Sequence, residues 1–107
     1  MTKLSKDFND FEFQCPCCGK NKVAGELVTK LQQLRDIINK PIHITSGYRC
    51  QAYNKKIGGY SKSPHLDGLA VDINVSCILP VALANIASEI ADIRIGIYKQ
   101  HIHIDLI

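Results

Sequence analysis

Helical spacing of apolar residues, and strict alternation of apolar with polar residues, divide this chain into a small set of predicted elements. In residues 25–40 the apolar positions recur at helical spacing, and Asn39 and Pro41 supply a stop. In residues 80–91 the same spacing returns, with a proline in the first turn. A shorter helix is predicted over residues 51–57, so the sequence indicates two substantial helices and one minor one.

Alternation predicts short strands at residues 42–45, 69–74, 93–98 and 101–106. Only Lys99 and Gln100 separate the last two, which predicts a hairpin. Phe8, Phe11 and Phe13 are expected to anchor the polar N-terminal segment on the core. Strands bracketed by helices, with at least one antiparallel pair, indicate an α+β fold with a small antiparallel sheet flanked by helices.

Composition narrows the class of protein. With 107 residues, 46% of them hydrophobic, and a net charge of +3, residues 1–107 are expected to form a single folded domain. The basic residues are scattered, so nucleic acid is not an expected partner, and we expect a monomer. No apolar run approaches the ~18 residues that span a bilayer, and the N-terminus lacks the apolar core of a signal peptide. The sequence therefore predicts no membrane insertion, and synthesis in the cytoplasm.

Five cysteines are an unusual count for such a chain, and an odd number cannot pair completely within it. Cys15 and Cys18 form a C-x-x-C pattern, which could be half of a structural zinc site. Cys50, Cys77 or a histidine would have to complete such a site. The alternatives are free, partly buried thiols that pack as small hydrophobic side chains, or a disulfide that forms late.

The polar positions of the last predicted strand are candidates for chemistry. His101, His103 and Asp105 alternate with apolar residues, so their side chains point to the same face. Asp72 comes from another predicted strand, and His65 lies in the glycine-rich loop before it. Two imidazoles and one carboxylate, with a position left for water, are typical of a catalytic zinc site. The alternative is a solvated face of an edge strand that carries surface histidines.

Residues 63–72, SPHLDGLAVD, fit the pattern S-x-H-x-x-G-x-A-x-D, and further short motifs surround them. In chain order these motifs are FQCPCCGK from Phe13, SGYR from Ser46, Asn54 with the following Gly58-Gly59, GIY from Gly96 and HID from His103. The set resembles the zinc D-alanyl-D-alanine peptidases of the M15 group, in particular its small phage-type, endolysin-like members.

The resemblance implies a fold similar to that of hedgehog proteins and D-Ala-D-Ala peptidases, and it implies an enzyme. His65, Asp72 and His103 would be the ligands of one catalytic Zn²⁺, and Arg49 would stabilise the oxyanion of the transition state. The expected reaction is hydrolysis of peptidoglycan stem peptides by metal-activated water. It would be of either the D,D-carboxypeptidase or the L,D-endopeptidase type.

One departure from the family pattern concerns the general base. Many relatives carry a glutamate three residues before the last ligand histidine, whereas this chain has Gln100. We assign proton transfer to His101, because an imidazole titrates near neutral pH. A non-catalytic zinc-binding module of the same fold, which binds a wall peptide or a protein partner, is the alternative that Gln100 favours.

Three more residues are candidates near the expected site. Ser63 could hydrogen-bond the substrate or cap its own loop, and Tyr98 could line the substrate cleft. Asp105 could orient a ligand histidine, or it could pair with Arg49 or Arg94 as plain structure.

The cysteines and the expected location complete the sequence-based hypotheses. Cys50 directly follows Arg49 and could be held against Cys15 and Cys18 by a disulfide or by a second, structural ion. An enzyme that acts on the cell wall but lacks a signal peptide is expected to be phage-encoded and to be released at lysis. A small zinc-finger-like nucleic-acid protein built on Cys15 and Cys18 is a further alternative, but it leaves the histidines unexplained.

Overall fold

Four strands form one antiparallel sheet in the computed structural model, which describes residues 3–107. The strands are β1 (His43–Ser46), β2 (Ala70–Asn74), β3 (Ile93–Ile97) and β4 (Ile102–Leu106). Their order across the sheet is β1-β2-β4-β3, and all neighbours are antiparallel. The α+β class, the antiparallel sheet and the terminal hairpin are confirmed. The alternative that the last strand lies at an edge is wrong, because β4 lies between β2 and β3.

Three α-helices match the helical spacing of the sequence, namely α1 (Gly25–Ile38), α2 (Gln51–Lys56) and α3 (Pro80–Ala87). α1 ends where Asn39 adopts a left-handed conformation, with φ 51° and ψ 39°. The prediction that the last helix continues to residue 91 is wrong. The helix ends before Ser88, whose hydroxyl donates to the Asn85 carbonyl oxygen at 2.6 Å. No helix in residues 3–107 is long and apolar enough to cross a membrane.

The core lies between the apolar face of the sheet and the helices α1 and α3. Its buried members from these elements are Leu27, Val28, Leu31, Leu34, Val71, Ile73, Leu83, Ala84, Ala87, Ile102 and Ile104. Phe8 and Phe13 are buried in the same core, as predicted. Phe11 is 50% exposed, so its predicted place in the core is wrong. It shares a 3-10 helix with Phe13, and residues two positions apart in such a helix point in different directions.

The strand register arranges the opposite, polar face of the sheet. Asp72 of β2 lies opposite His103 of β4, and Asp105 of β4 lies opposite Arg94 of β3. Side chains alternate along each strand. The register that buries the isoleucines therefore brings the polar residues of the two central strands side by side.

Candidate metal centre and cleft

Three side chains from separate segments meet on the polar side of the sheet. His65 comes from the 3-10 helix Pro64–Asp67, Asp72 from β2 and His103 from β4. One potential ligand atom from each lies within 4.8 Å of the other two. The Asp72 Oδ1 atom is 3.2 Å from His65 Nε2 and 3.0 Å from His103 Nδ1. We refer to these three residues as the histidine site.

The 3-10 helix Pro64–Asp67, which the sequence patterns did not predict, holds His65 in place. Ser63 caps it, since its hydroxyl oxygen accepts a hydrogen bond from the His65 amide at 3.2 Å. Ser63 was expected either to hydrogen-bond the substrate or to cap its own loop, and this hydrogen bond is a capping contact. Gly68 ends the helix with φ 71°. A Cβ atom on Gly68 would overlap the Lys22 carbonyl oxygen, so glycine is required there.

The second nitrogen of each imidazole has a partner of its own. His65 Nδ1 lies 2.8 Å from the Gly47 carbonyl oxygen, which can only accept a hydrogen bond. His103 Nε2 lies 2.7 Å from Asp105 Oδ2, likewise an acceptor. In the neutral rings the unprotonated nitrogens therefore face Asp72 Oδ1. Three acceptor atoms directed at one point repel each other unless a cation lies between them. These three atoms therefore form a set of ligands that fits a divalent metal ion.

The electrostatics of the histidine site follow from these contacts. Burial raises the pKa of Asp72, but when the two imidazoles are protonated, hydrogen bonds from His103 and His65 outweigh burial and hold that pKa well below its usual range. The hydrogen bond with Asp72 raises the pKa of His103, burial opposes this shift, and Asp105 adds to it. The Asp72 carboxylate therefore stays ionised and is available as an anionic ligand.

Arg49 lies on the other side of the Asp72 carboxylate. Its Nη2 atom is 3.2 Å from Asp72 Oδ2, and its Nε donates to Ser46 Oγ at 3.0 Å. Its Nη1 donates at 3.2 Å to Oδ1 of Asn54, a buried side chain that in turn donates to the Tyr60 carbonyl oxygen at 2.8 Å. These contacts hold the guanidinium in one orientation beside the histidine site. Sequence reasoning matched Asn54 to a motif but did not find this role.

A cleft of about 360 Å³ opens beside the histidine site and Arg49. The other residues that line it are Tyr60, Ser63, Pro64, Tyr98 and His101. His101 Nε2 lies 3.9 Å from Asp72 Oδ2, and the His101 ring stacks on the Tyr98 ring with centroids 4.8 Å apart. His101, which was assigned proton transfer, and Tyr98, which was expected to line the cleft, thus both lie next to the histidine site.

Asp105 contacts two of its expected partners and not the third. Besides His103 Nε2, it binds Arg94, whose Nε atom lies 2.7 Å from Asp105 Oδ1. Arg49 contacts Asp72 instead, so the expected alternative pairing of Asp105 with Arg49 is wrong. Gln100 is exposed in the turn between β3 and β4 and does not line the cleft.

The backbone of the N-terminal segment packs against the loop that orients His65, a contact that the sequence patterns did not predict. A Cβ atom on Gly47 would lie 2.6 Å from the Phe13 carbonyl oxygen and 2.7 Å from Phe13 Cα. The same carbonyl accepts a hydrogen bond from the Tyr48 amide at 2.9 Å. Because the Gly47 carbonyl holds His65 Nδ1, the segment around Phe13 packs directly against the loop that orients His65. Gly47 belongs to the SGYR motif, but the position of that motif in the sequence did not predict this contact with Phe13.

A second cluster of potential metal ligands lies outside the cleft, where Cys15, Cys18 and Cys50 come together. We refer to these three residues as the thiol cluster. The sulfur atoms of Cys15 and Cys50 are 3.6 Å apart, and the cysteines are free thiols. Burial alone would raise the pKa of the Cys15 thiol, but the backbone amides of Cys50, Cys18 and Cys17 lower it to about 7. Cys77, one candidate to complete a site, is exposed and outside the cluster.

Comparison with known proteins identifies the family. The family model for Peptidase M15 matches residues 6–105, and the chain belongs to this family. The solved structure of the L-Ala D-Glu endopeptidase ChiX of Serratia marcescens is similar, with 20% sequence identity and a TM-score of 0.63. The match covers 80% of this chain and 81% of that one. No curated protein sequence gives a match. The chain is therefore a peptidase of the M15 family, as its motifs predicted.

Proposed function

We propose that this M15 peptidase depends on zinc and cleaves the stem peptides of peptidoglycan. The observation that carries the proposal is the convergence of His65 Nε2, Asp72 Oδ1 and His103 Nδ1. The remaining nitrogens of the two imidazoles are occupied by Gly47 and Asp105, so the converging atoms are left for a metal ion. Two imidazoles and one carboxylate leave coordination positions open for water and substrate, as a catalytic zinc site requires.

Zinc bound at the histidine site would supply a Lewis acid that polarises the scissile carbonyl and makes water nucleophilic near neutral pH. Arg49 would stabilise the charge that develops on the carbonyl oxygen. Its Nη1 and Nη2 atoms each donate one hydrogen bond within the protein, to Asn54 and Asp72, and each carries another N–H for the substrate. A guanidinium suits this role because it remains charged throughout the reaction.

His101 is the group that we propose for proton transfer. Its Nε2 atom lies at the cleft wall, 3.9 Å from Asp72 Oδ2, and is not one of the three converging atoms. It would accept a proton from the attacking water and pass it to the nitrogen of the leaving amine. Stacking on Tyr98 restrains the plane of the imidazole ring. The exposed Gln100 amide has no basic nitrogen for this task.

Of the two cleavage types, the cleft favours an endopeptidase. A carboxypeptidase has to bind the free carboxylate of its substrate, and a cation with unused donors is the usual partner. Arg49 is the one arginine or lysine among the described residues that line the cleft, and we assign its remaining donors to the oxyanion. The structurally similar ChiX is an L-Ala D-Glu endopeptidase. We therefore propose a cut between L-Ala and D-Glu of the stem peptide.

The test is digestion of purified peptidoglycan and of a soluble stem pentapeptide by the zinc-loaded protein, with mass spectrometry of the fragments. We expect fragments with a new amino-terminal D-Glu. His65→Ala should lose one equivalent of zinc and all hydrolysis. His43→Ala, which removes an exposed histidine on β1, is the matched control and should retain both.

Three outcomes would contradict the proposal in different ways. Release of D-alanine alone would overturn the proposed bond but leave a peptidoglycan peptidase. Absence of hydrolysis by the zinc-loaded protein would overturn the substrate. Full hydrolysis by metal-free His65→Ala would overturn zinc dependence.

A further inference from the structure

The thiol cluster joins two segments that are distant in sequence. Cys15 and Cys18 lie in the N-terminal segment, whereas Cys50 lies between Arg49 and helix α2, which it caps. Their sulfur atoms lie within 4.8 Å of one another. The two segments meet here because Gly47 has no side chain and so admits the backbone of Phe13.

A tight turn brings the first two sulfur atoms together. The Gly19 amide donates to the Cys15 carbonyl oxygen at 2.8 Å, and the Cys15 amide donates to the Lys20 carbonyl oxygen at 2.8 Å. Gly19 has φ 73°, a left-handed conformation that glycine adopts without strain. The turn thus folds a C-x-x-C-G stretch back on itself, and the C-x-x-C spacing is the one that structural zinc sites use.

Two sulfur atoms of the thiol cluster, those of Cys15 and Cys50, accept hydrogen bonds from backbone N–H groups. The Cys50 amide donates to Cys15 Sγ at 3.4 Å, and the Tyr53 amide donates to Cys50 Sγ at 3.5 Å. Backbone N–H groups directed at sulfur are outer contacts that support a thiolate when it is bound to a metal ion. Adjacent thiolates repel one another unless a cation lies between them.

We propose that Cys15, Cys18 and Cys50 bind a structural zinc ion, separate from the histidine site. Thiolates are soft ligands, and clusters of them select zinc among the common divalent ions. Cys17, which lies between Cys15 and Cys18 in the chain, is available for a fourth position. The ion joins the N-terminal segment to the loop that carries Arg49.

Cobalt substitution tests the site without any peptide substrate. Thiolate ligands give cobalt a charge-transfer absorption that imidazole and carboxylate ligands do not give, so this band reports on the thiol cluster alone. We expect the band in the wild-type protein, together with a second equivalent of bound metal. Cys50→Ser should lose both the band and that equivalent. Cys77→Ser, which removes an exposed cysteine elsewhere, should retain them.

His65→Ala separates this proposal from the proposed function. This variant should lose the metal ion of the histidine site but keep the thiolate band of the thiol cluster. Cys18→Ser provides a second variant if circular dichroism shows that Cys50→Ser does not fold. Absence of the band in the wild-type protein, or its persistence in both cysteine variants, would overturn the proposal. So would a thiol titration of the denatured, unreduced protein that finds one pair of cysteines missing, because that result would indicate a disulfide.

Discussion

The histidine site and the thiol cluster each bring three potential ligand atoms within 4.8 Å, but they are built on different scaffolds. Two residues of the histidine site, Asp72 and His103, lie opposite each other on the central strands, so the sheet register sets their spacing. The thiol cluster lies outside the strands, in a turn and at the start of a helix. Its geometry depends on two loops that meet through a glycine.

The ligand chemistry of the two regions differs as well. Nitrogen and oxygen ligands leave a metal ion acidic and leave positions open, which suits catalysis. Three thiolates donate more charge to the ion, which suits a structural role. In the roles proposed above, a chain of 107 residues would keep a reactive centre and a structural metal site apart by ligand type and by scaffold.

Asp72→Asn should have the largest effect, and it should affect the histidine site while leaving the thiol cluster intact. The neutral amide cannot provide an anionic ligand, and it leaves the largely buried Arg49 guanidinium without its counter-ion. We expect zinc to be lost from the histidine site and hydrolysis to fall to background. The cobalt–thiolate band of the thiol cluster should be unchanged. Metal analysis and a peptidoglycan assay check this, and retained hydrolysis would contradict the role of Asp72.

Metal removal should have the next largest effect, on stability. A ligand that binds only the folded state stabilises it by about 4 kcal/mol at a thousandfold excess over Kd. For a domain of this size a strong chelator should therefore lower Tm by more than about 10 °C. The decrease in Tm should be clearly smaller for Cys50→Ser, because in this variant the chelator can remove metal only from the histidine site. Thermal denaturation measures both, and equal falls would mean that the thiol cluster holds no metal.

Gly68→Ala should disturb both regions at once, because Gly68 ties the His65 loop to the N-terminal segment. Its carbonyl accepts from the Ala24 amide at 2.8 Å. Gly58 is the matched control, since Gly68 and Gly58 have similar φ values of 71° and 75°. A Cβ at Gly58 meets nothing within 4 Å, whereas at Gly68 it meets the Lys22 backbone.

Alanine in a left-handed conformation costs about 1 kcal/mol, which is the whole effect expected for Gly58→Ala. The backbone overlap should raise the cost for Gly68→Ala to about 3 kcal/mol. Urea denaturation checks the difference. Similar losses of unfolding free energy in the two variants would show that the N-terminal segment moves aside easily.

The smallest effect is expected at Asp105, which supports the histidine site from one side. Asp105→Asn removes the charge that orients His103 and should reduce zinc affinity or hydrolysis about 10–100-fold. Arg94→Gln is the control, because the Arg94 side chain is 66% exposed and its loss should cost about fivefold or less. Zinc titration compares the two, and equal effects would show that Asp105 acts only through its pair with Arg94.

The sequence predicted the histidine site better than its surroundings. The strand period of two places His103 and Asp105 on one face, and burial of the alternating isoleucines then fixes the register that brings Asp72 alongside. His65 was already a candidate from its place in the loop before Asp72, and the motif resemblance added Arg49. These are local patterns, and a single sequence displays them.

Features that depend on contacts between distant segments escaped prediction. The exposure of Phe11 follows from a 3-10 helix that is too short to leave a periodic pattern. Helical spacing continues past Ala87, yet the chain leaves the helix there to reach β3. The meeting of Cys15 with Cys50 was one hypothesis among several, because the sequence spacing does not fix it; the backbones of Phe13 and Gly47 bring the two segments together.

The position of β4 has a consequence for synthesis. β4 follows the other strands in chain order, yet it lies between β2 and β3. A nascent chain that has emerged only as far as β3 cannot pair its strands in their final order, and it presents unpaired edges to other chains. Because His103 lies on β4, the histidine site cannot assemble until that strand leaves the ribosome. The activity proposed for the histidine site would thus be absent from the growing polypeptide because of the order in which its strands are made.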